Sequence, residues 1–179
     1  PMLKVSNDIG VTLTTPFYQV ISPTQDIEFQ PTSFQHRGQG FKTIYRQRWD
    51  EAVLDANIYG ARLETFKEKR ENVGAIDVSF SSNIESGWRL SSLLQRSSQD
   101  TFLRRYGYNS NETLTSSVTA TKITNNRFYQ ATMSDLQGLR ETDTPDKEPT
   151  ILPSIFYAKT TKGPLKDQIV RQELSALHL

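Results

Sequence analysis

The sequence predicts a mainly α-helical chain, with one long and two or three shorter helices, long extended or irregular arms at both ends, and a few short strands. Three observations carry that expectation. From Phe41 to Phe66 apolar residues recur every three or four positions, the period of one helix face. Leu90, Leu94, Phe102 and Tyr106 follow at multiples of four. Prolines gather outside these ladders, at 16, 23 and 31 and again at 145, 149, 153 and 164, leaving no room there for a helix of useful length.

Taken in order, residues 1–40 read as an extended N-terminal arm with one or two strands, at Val11-Thr12-Leu13 and Phe17 to Ile21. Residues 41–140 read as a helical central region. Its long helix spans 41–72, with Phe41, Tyr45, Trp49, Ala52, Ala56, Tyr59, Leu63 and Phe66 on one face and a length of roughly 45 Å. Ile44, Val53, Leu54 and Ile58 add a second stripe, Gly60 weakens the middle, and the far end is polar, with Glu64, Lys67, Glu68, Lys69, Arg70 and Glu71. Ile76, Val78 and Phe80 alternate with period two, as a strand or extended linker would. A second helix spans 88–106, with Leu93 and Leu103 beside its ladder and Gly107 as its stop. Tyr108 to Asn126 reads as loop or exposed strand, and Arg127 to Leu139 as a short helix or a strand. Residues 141–179 read as a proline-rich arm ending in an amphipathic helix over 164–178, with Leu165, Ile169, Leu174 and Leu177 on one face.

Composition narrows the chemistry. The 179 residues are 35% hydrophobic, against about 45–50% in typical domains. Mean hydropathy is −0.57. Ser, Thr, Asn and Gln make up the difference rather than charge, because the formal balance is only +1. Without cysteine there is no disulfide, thiolate nucleophile or covalently held cofactor. Apolar runs are short, Ala52-Val53-Leu54 being typical, so no transmembrane segment and no secretory signal is expected. The leading proline suggests a processed start.

Catalytic and metal signatures fail one by one. Histidine occurs only at His36 and His178, too sparse for a zinc centre or a Ser-His-Asp arrangement, and no G-x-S-x-G elbow is present. Arg37-Gly38-Gln39-Gly40 lacks a third glycine, and Lys159-Thr160-Thr161-Lys162-Gly163 has its P-loop elements in the wrong order. Glu51 and Asp55, one turn apart on the expected helix, read as solvated charges pairing with Arg48 or Arg62. Asn111-Glu112-Thr113 fits the glycosylation pattern but has no secretory context. The chain reads as non-enzymatic.

Its positive feature is basic and aromatic. No carboxylate occurs between Glu28 and Asp50, an interval holding Arg37, Lys42, Arg46 and Arg48 among Phe34, Phe41, Tyr45 and Trp49. Arg89, Arg96, Arg104 and Arg105, with Tyr106, repeat the theme. Arginine pairs bidentately with carboxylates or phosphates, and Tyr and Trp supply rigid buried area. The expected partner-binding set is therefore Arg37, Lys42, Tyr45, Arg46, Arg48, Trp49, Arg96, Arg104, Arg105 and Tyr106. Acidic subunits of a large protein assembly are the favoured partners. Single-stranded nucleic acid stacked on Tyr45 or Trp49 is a less favoured reading.

Three patches carry a family resemblance: Tyr45-Arg46-Gln47, Leu103-Arg104-Arg105-Tyr106, and Asn126-Arg127-Phe128 leading to Leu136-Gln137-Gly138-Leu139-Arg140. In this order they resemble the linker polypeptides of phycobilisomes, although the spacing differs and the F-V-R and L-L-G-R cores are not reproduced. The resemblance implies a colourless linker in a light-harvesting, photosynthetic assembly. It would bind acidic phycobiliproteins, contact bilins held by partner subunits and lie at the stromal or cytoplasmic face of thylakoids. A capsid, tail or connector subunit of a virion has the same long arms and polar loops, and is the alternative reading.

Overall fold

The computed structural model describes residues 1–6, 9–64, 70–140, 150–165 and 168–178, with backbone alone at 150–152 and 178. Among the described residues twelve strands follow one another: β1 (Met2–Ser6), β2 (Gly10–Thr14), β3 (Phe17–Ser22), β4 (Gln25–Phe34), β5 (Gly38–Arg48), β6 (Ala52–Glu64), β7 (Arg70–Ile84), β8 (Trp88–Ser97), β9 (Thr113–Ile123), β10 (Arg127–Gly138), β11 (Thr150–Lys162) and β12 (Ile169–His178). The only α-helix among the described residues is α1 (Phe102–Arg105), and a 3₁₀ turn covers Glu85–Gly87. All strands join one antiparallel sheet in the order β1-β2-β4-β5-β6-β7-β8-β9-β10-β11-β12, with β3 pairing β4. β1 and β12 are its two ends.

β2 and β3 pair successive parts of β4, both antiparallel to it and separated at Thr15-Pro16. Pro31 sits where β4 changes partner, its carbonyl accepting the Thr15 amide at 3.2 Å, so the missing proline N–H costs no ladder bond. Pro153 falls at the register shift between Leu152 and Ile155, where a strand tolerates proline. These prolines punctuate strands rather than mark irregular arms, whereas Pro145 and Pro149, with residues 141–149 of the expected arm, lie outside the described residues.

The expected helices are replaced by hairpins. The long ladder at 41–66 consists of two strands joined by the Trp49–Glu51 turn, closed by the Trp49 amide donating to the Ala52 carbonyl at 2.8 Å. In a strand a step of four keeps a side chain on one face and a step of three moves it to the other. Phe41 and Tyr45 share a face with Ala52 and Ala56, whereas Tyr59 and Leu63 lie on the opposite one. Phe66 and the charged residues 67–69 lie outside the described residues. The expected helix over 88–106 is β8 followed by the short α1. The expected helix over 164–178 contains β12, whose register puts Leu174 opposite Tyr157 and Ile169 opposite Lys162, on different faces. Ile76, Val78 and Phe80 fall in β7.

This architecture overturns the phycobilisome-linker reading and, with it, the light-harvesting, phycobiliprotein, bilin-contact and thylakoid expectations. Tyr45-Arg46-Gln47 lies in β5 and Leu136-Gln137-Gly138 ends β10. Such a sheet has none of the helical repeats that define those linkers.

The principal core sits beneath α1. The β8–β9 connection folds back so that Phe102 and Leu103 pack with Phe34, Tyr59, Ala61, Leu63, Val73 and Ala75. Phe102 is 0% exposed, and its ring lies 5.6 Å from Tyr106 and 5.7 Å from Tyr108. Burying such a side chain contributes about 1.5–3 kcal/mol. Gly38, at φ +103°, shapes the β4–β5 turn at the same end: a Cβ there would lie 2.3 Å from the Arg62 carbonyl oxygen.

Candidate functional site

The register divides every strand between two faces, and charge divides with it, although the inner face also holds Ile44, Val53, Leu93, Phe128 and Phe156. The face toward α1, here the inner face, carries Asp26 and Glu28 on β4, Lys42, Arg46 and Arg48 on β5, Asp55 and Asn57 on β6, and Asp77 on β7. It continues through Gln95 on β8 into Ser117 and Thr119 on β9 and Thr132 on β10. Several of these groups satisfy one another. Arg46 Nε donates to Asp26 at 2.7 Å, Arg48 Nη2 to Asp55 at 2.7 Å and Gln95 Nε2 to Asp77 at 3.1 Å. The Thr119 and Thr132 hydroxyls meet at 3.1 Å.

The outer face reverses this pattern. It presents Leu3 and Val5, Val11 and Leu13, Ile27 and Phe29, Phe41, Leu54 and Ile58 across β1 to β6. Ile76, Val78, Phe80, Leu90, Leu94 and Val118 continue it across β7 to β9, then Met133, Ile155 and Leu174 across β10 to β12. Many remain uncovered, including Leu3 at 69%, Met133 at 51% and Ile58 at 43%. The charged residues of this face stand at strand ends: Arg62, Glu64, Arg70, Arg96 and Asp135 toward the α1 end, and Lys122, Arg127 and Lys159 toward the other. Phe41 closes the gap over Gly60, where a Cβ would lie 2.6 Å from its ring.

The two ends also differ. At one, tight connections join the strands: Trp49–Glu51, Glu85–Gly87 with Ser86 and Gly87 at positive φ, and Thr124–Asn126, where the Thr124 amide donates to the Arg127 carbonyl at 2.9 Å. At the other, the β8–β9 connection carries α1. There β8 and β9 part beyond the Leu93–Ser117 pair, and side chains bridge the opening. Ser116 Oγ accepts from the Gln95 amide at 3.1 Å and donates to its carbonyl at 3.0 Å. Gln137 clasps Ser97 in the same way, Oε1 accepting at 3.0 Å and Nε2 donating at 2.7 Å. Backbone groups that lose strand partners thereby keep hydrogen bonds.

The expected partner-binding residues are dispersed by this arrangement. Lys42, Arg46 and Arg48 line up on the inner face of β5, with Lys42 Nζ 5.5 Å from the Tyr59 ring centroid and Arg46 6.0 Å from that of Tyr18. Hydrogen bonding to Asp26 is the main influence raising the Arg46 pKa. Tyr45 faces outward and donates to Gln47 at 3.1 Å. Arg37 is buried in the β4–β5 turn and Trp49 half-exposed in the β5–β6 turn. Arg96 pairs with Asp135 on the outer face near the α1 end. Arg104 and Arg105 project from α1, whereas Tyr106 packs against Phe34 at 4.7 Å. Two titratable groups lie at the core: burial is the main influence pushing the Tyr59 hydroxyl up to about 12 and raising that of Tyr108.

The chain has no cysteine for a thioether-linked cofactor, and no cluster of three His, Asp or Glu among the described residues could hold a metal. No helix among them is long and apolar enough to cross a membrane. What sequence reading missed is the outer apolar surface, whose signal is period-two alternation spread over many hairpins. No protein-family model and no curated protein matches the sequence.

Proposed function

We propose that this sheet is a non-enzymatic, architectural wall of a membrane β-barrel, with its outer face against lipid and its inner face toward an aqueous lumen. The observation that carries this reading is the partition of charge by register, with outer-face charges confined to strand ends and a mainly apolar band between them, interrupted by Thr43 and Ser92. In water the stable arrangement is the reverse, with the apolar face inside and the polar face solvated. In a bilayer, strands of 9–11 residues suffice to span, and β5 to β11 have between 10 and 15. Three-residue turns between β5 and β6, β7 and β8, and β9 and β10 at one end, with the long β8–β9 connection at the other, also fit a spanning barrel. The side-chain bridges between β8 and β9 supply hydrogen bonds that lipid cannot.

The test is reconstitution. The chain is refolded with phospholipid vesicles, floated on a density gradient and washed with alkaline carbonate, with circular dichroism monitoring strand content. Flotation of a carbonate-resistant, strand-rich chain is the expected result. A folded chain that stays in the aqueous fraction overturns the reading.

A second reading, a capsid, tail or connector subunit of a virion, is favoured by one observation: among the described residues, β1 and β12 end the sheet without pairing each other. Exposed edges are templates for strands of neighbouring copies. Uniform lipid-free particles in electron micrographs of the refolded chain would select it. In a bilayer those same edges must be paired.

A further inference from the structure

The outer face is not uniform near the short turns. Reading across the sheet, one row runs Trp88, Lys122, Tyr129, Tyr157 and Leu174, each residue opposite the next. The row nearer the middle is Leu90, Ala120, Ala131 and Ile155, wholly apolar. The row nearer the turns pairs Arg127 with Lys159. Aliphatic, aromatic and cationic layers therefore succeed one another, each about 7 Å from the next.

The aromatic layer is continuous, with Trp88 6.3 Å from Tyr129 and Tyr129 5.1 Å from Tyr157. Lys122 lays its stem along it, placing Nζ 5.7 Å from the Trp88 ring centroid. Trp88, Lys122, Arg127 and Tyr129, with Thr124 and Asn126, line an open depression of about 430 Å³. Glu85 is the carboxylate closest in sequence to Trp88, in the exposed turn before it. No carboxylate among the described residues forms an ion pair with Lys122, Arg127 or Lys159. The α1 end is different, because there Arg70 pairs with Glu64 and Arg96 with Asp135.

We propose that this rim holds the head group of an anionic phospholipid, its phosphate between Lys122, Arg127 and Lys159 and its glycerol region against Trp88, Tyr129 and Tyr157. The inference rests on the bilayer reading above and adds a lipid class and a place. Amphipathic rings settle at the membrane interface, and lysine extends its ammonium toward the head groups while its stem stays apolar. Three cations with no ion-pair partner among the described residues select a net-negative lipid over a zwitterionic one.

The experiment refolds the chain into vesicles of equal parts phosphatidylglycerol and phosphatidylcholine, extracts it in mild detergent, and measures the copurifying lipids by mass spectrometry. Phosphatidylglycerol should be enriched over its bulk share, the enrichment falling about fivefold for each cation removed in Lys122→Gln, Arg127→Gln and Lys159→Gln. A Lys122→Arg, Lys159→Arg double variant, which keeps the charge, should keep the enrichment. Arg62→Gln at the opposite rim should leave it unchanged. Equal recovery of both lipids with the inserted parent chain, or undiminished enrichment in the triple glutamine variant, overturns the site while the bilayer reading stands. A chain that never enters the vesicles removes both.

Discussion

Along β6, Tyr59, Ala61 and Leu63 are buried beneath α1, while Ala56 and Ile58 on the same strand look the other way and Ile58 stays 43% exposed. The inner side has an aromatic core at the α1 end, a hydrogen-bonded polar lattice across its middle and a Phe128–Phe156 pair, 5.8 Å apart, toward the short turns. The outer side is mainly apolar through its middle, interrupted by Thr43 and Ser92, and much of it is exposed in this chain. Hydrophobic burial within the chain is thus concentrated at the α1 end, with a smaller contribution from Phe128, Phe156 and the buried Ala158. Elsewhere the sheet depends on its ladders and on whatever covers the outer face, so the solvent of that face decides how stable the wall is.

The largest effect that would sharpen this contrast is expected at Phe102. Phe102→Ala empties the centre of the inner core and should cost about 3–5 kcal/mol, read as a lowered denaturant midpoint. Leu94→Ala on the outer face should shift that midpoint far less. An equal loss at both would mean that the outer face packs against protein after all.

Ile58→Arg comes next, because its size depends on the surroundings. In vesicles an arginine in mid-strand on the lipid side should cost about 2–4 kcal/mol, whereas Asn57→Arg, one residue away on the inner face, should be nearly neutral. Unfolding in lipid measures both. Similar costs for the two would break the distinction between the faces.

A smaller effect concerns pH. The Tyr59 hydroxyl, ordinarily near 10, is pushed up to about 12 in the folded chain, mainly by burial. Below pH 10 the phenol is neutral in both states, and its contribution is fully present. As pH rises toward and through 12 the unfolded chain releases the proton first, so stability falls. Tyr59→Phe should flatten that alkaline decline when unfolding midpoints are followed from pH 9 upward.

The smallest change is expected for Asp26→Asn, which removes the partially exposed ion pair with Arg46. Its effect on the unfolding midpoint should be below those above and should fade as salt is added, since exposed pairs contribute little and are screened.

Much of the local punctuation was legible. Val11-Thr12-Leu13, Phe17 to Ile21 and the Ile76, Val78, Phe80 run lie in strands. The basic-aromatic interval of 34–49 is real as a composition, but β5 sends Lys42, Arg46 and Arg48 to one face and Phe41 and Tyr45 to the other. No linear reading separates them without knowing the period. The helical reading arose because the inner core adds Tyr59, Ala61 and Leu63 to a strand whose outer residues are also apolar, which erases the simple alternation. The Trp88, Tyr129 and Tyr157 rim was invisible for another reason: its members lie on three strands and meet only through pairing.

The sequence by itself determined the absence of thiol chemistry, the near-balanced charge, the turn-forming breaks and the two residue populations, one apolar and one polar. Only the tertiary structure decided which population faces which way, because a one-residue change of register would exchange the two faces of every strand. Twelve strands hold that choice in common through their antiparallel pairing, and the face it leaves apolar and outward is what gives this chain its most informative surface.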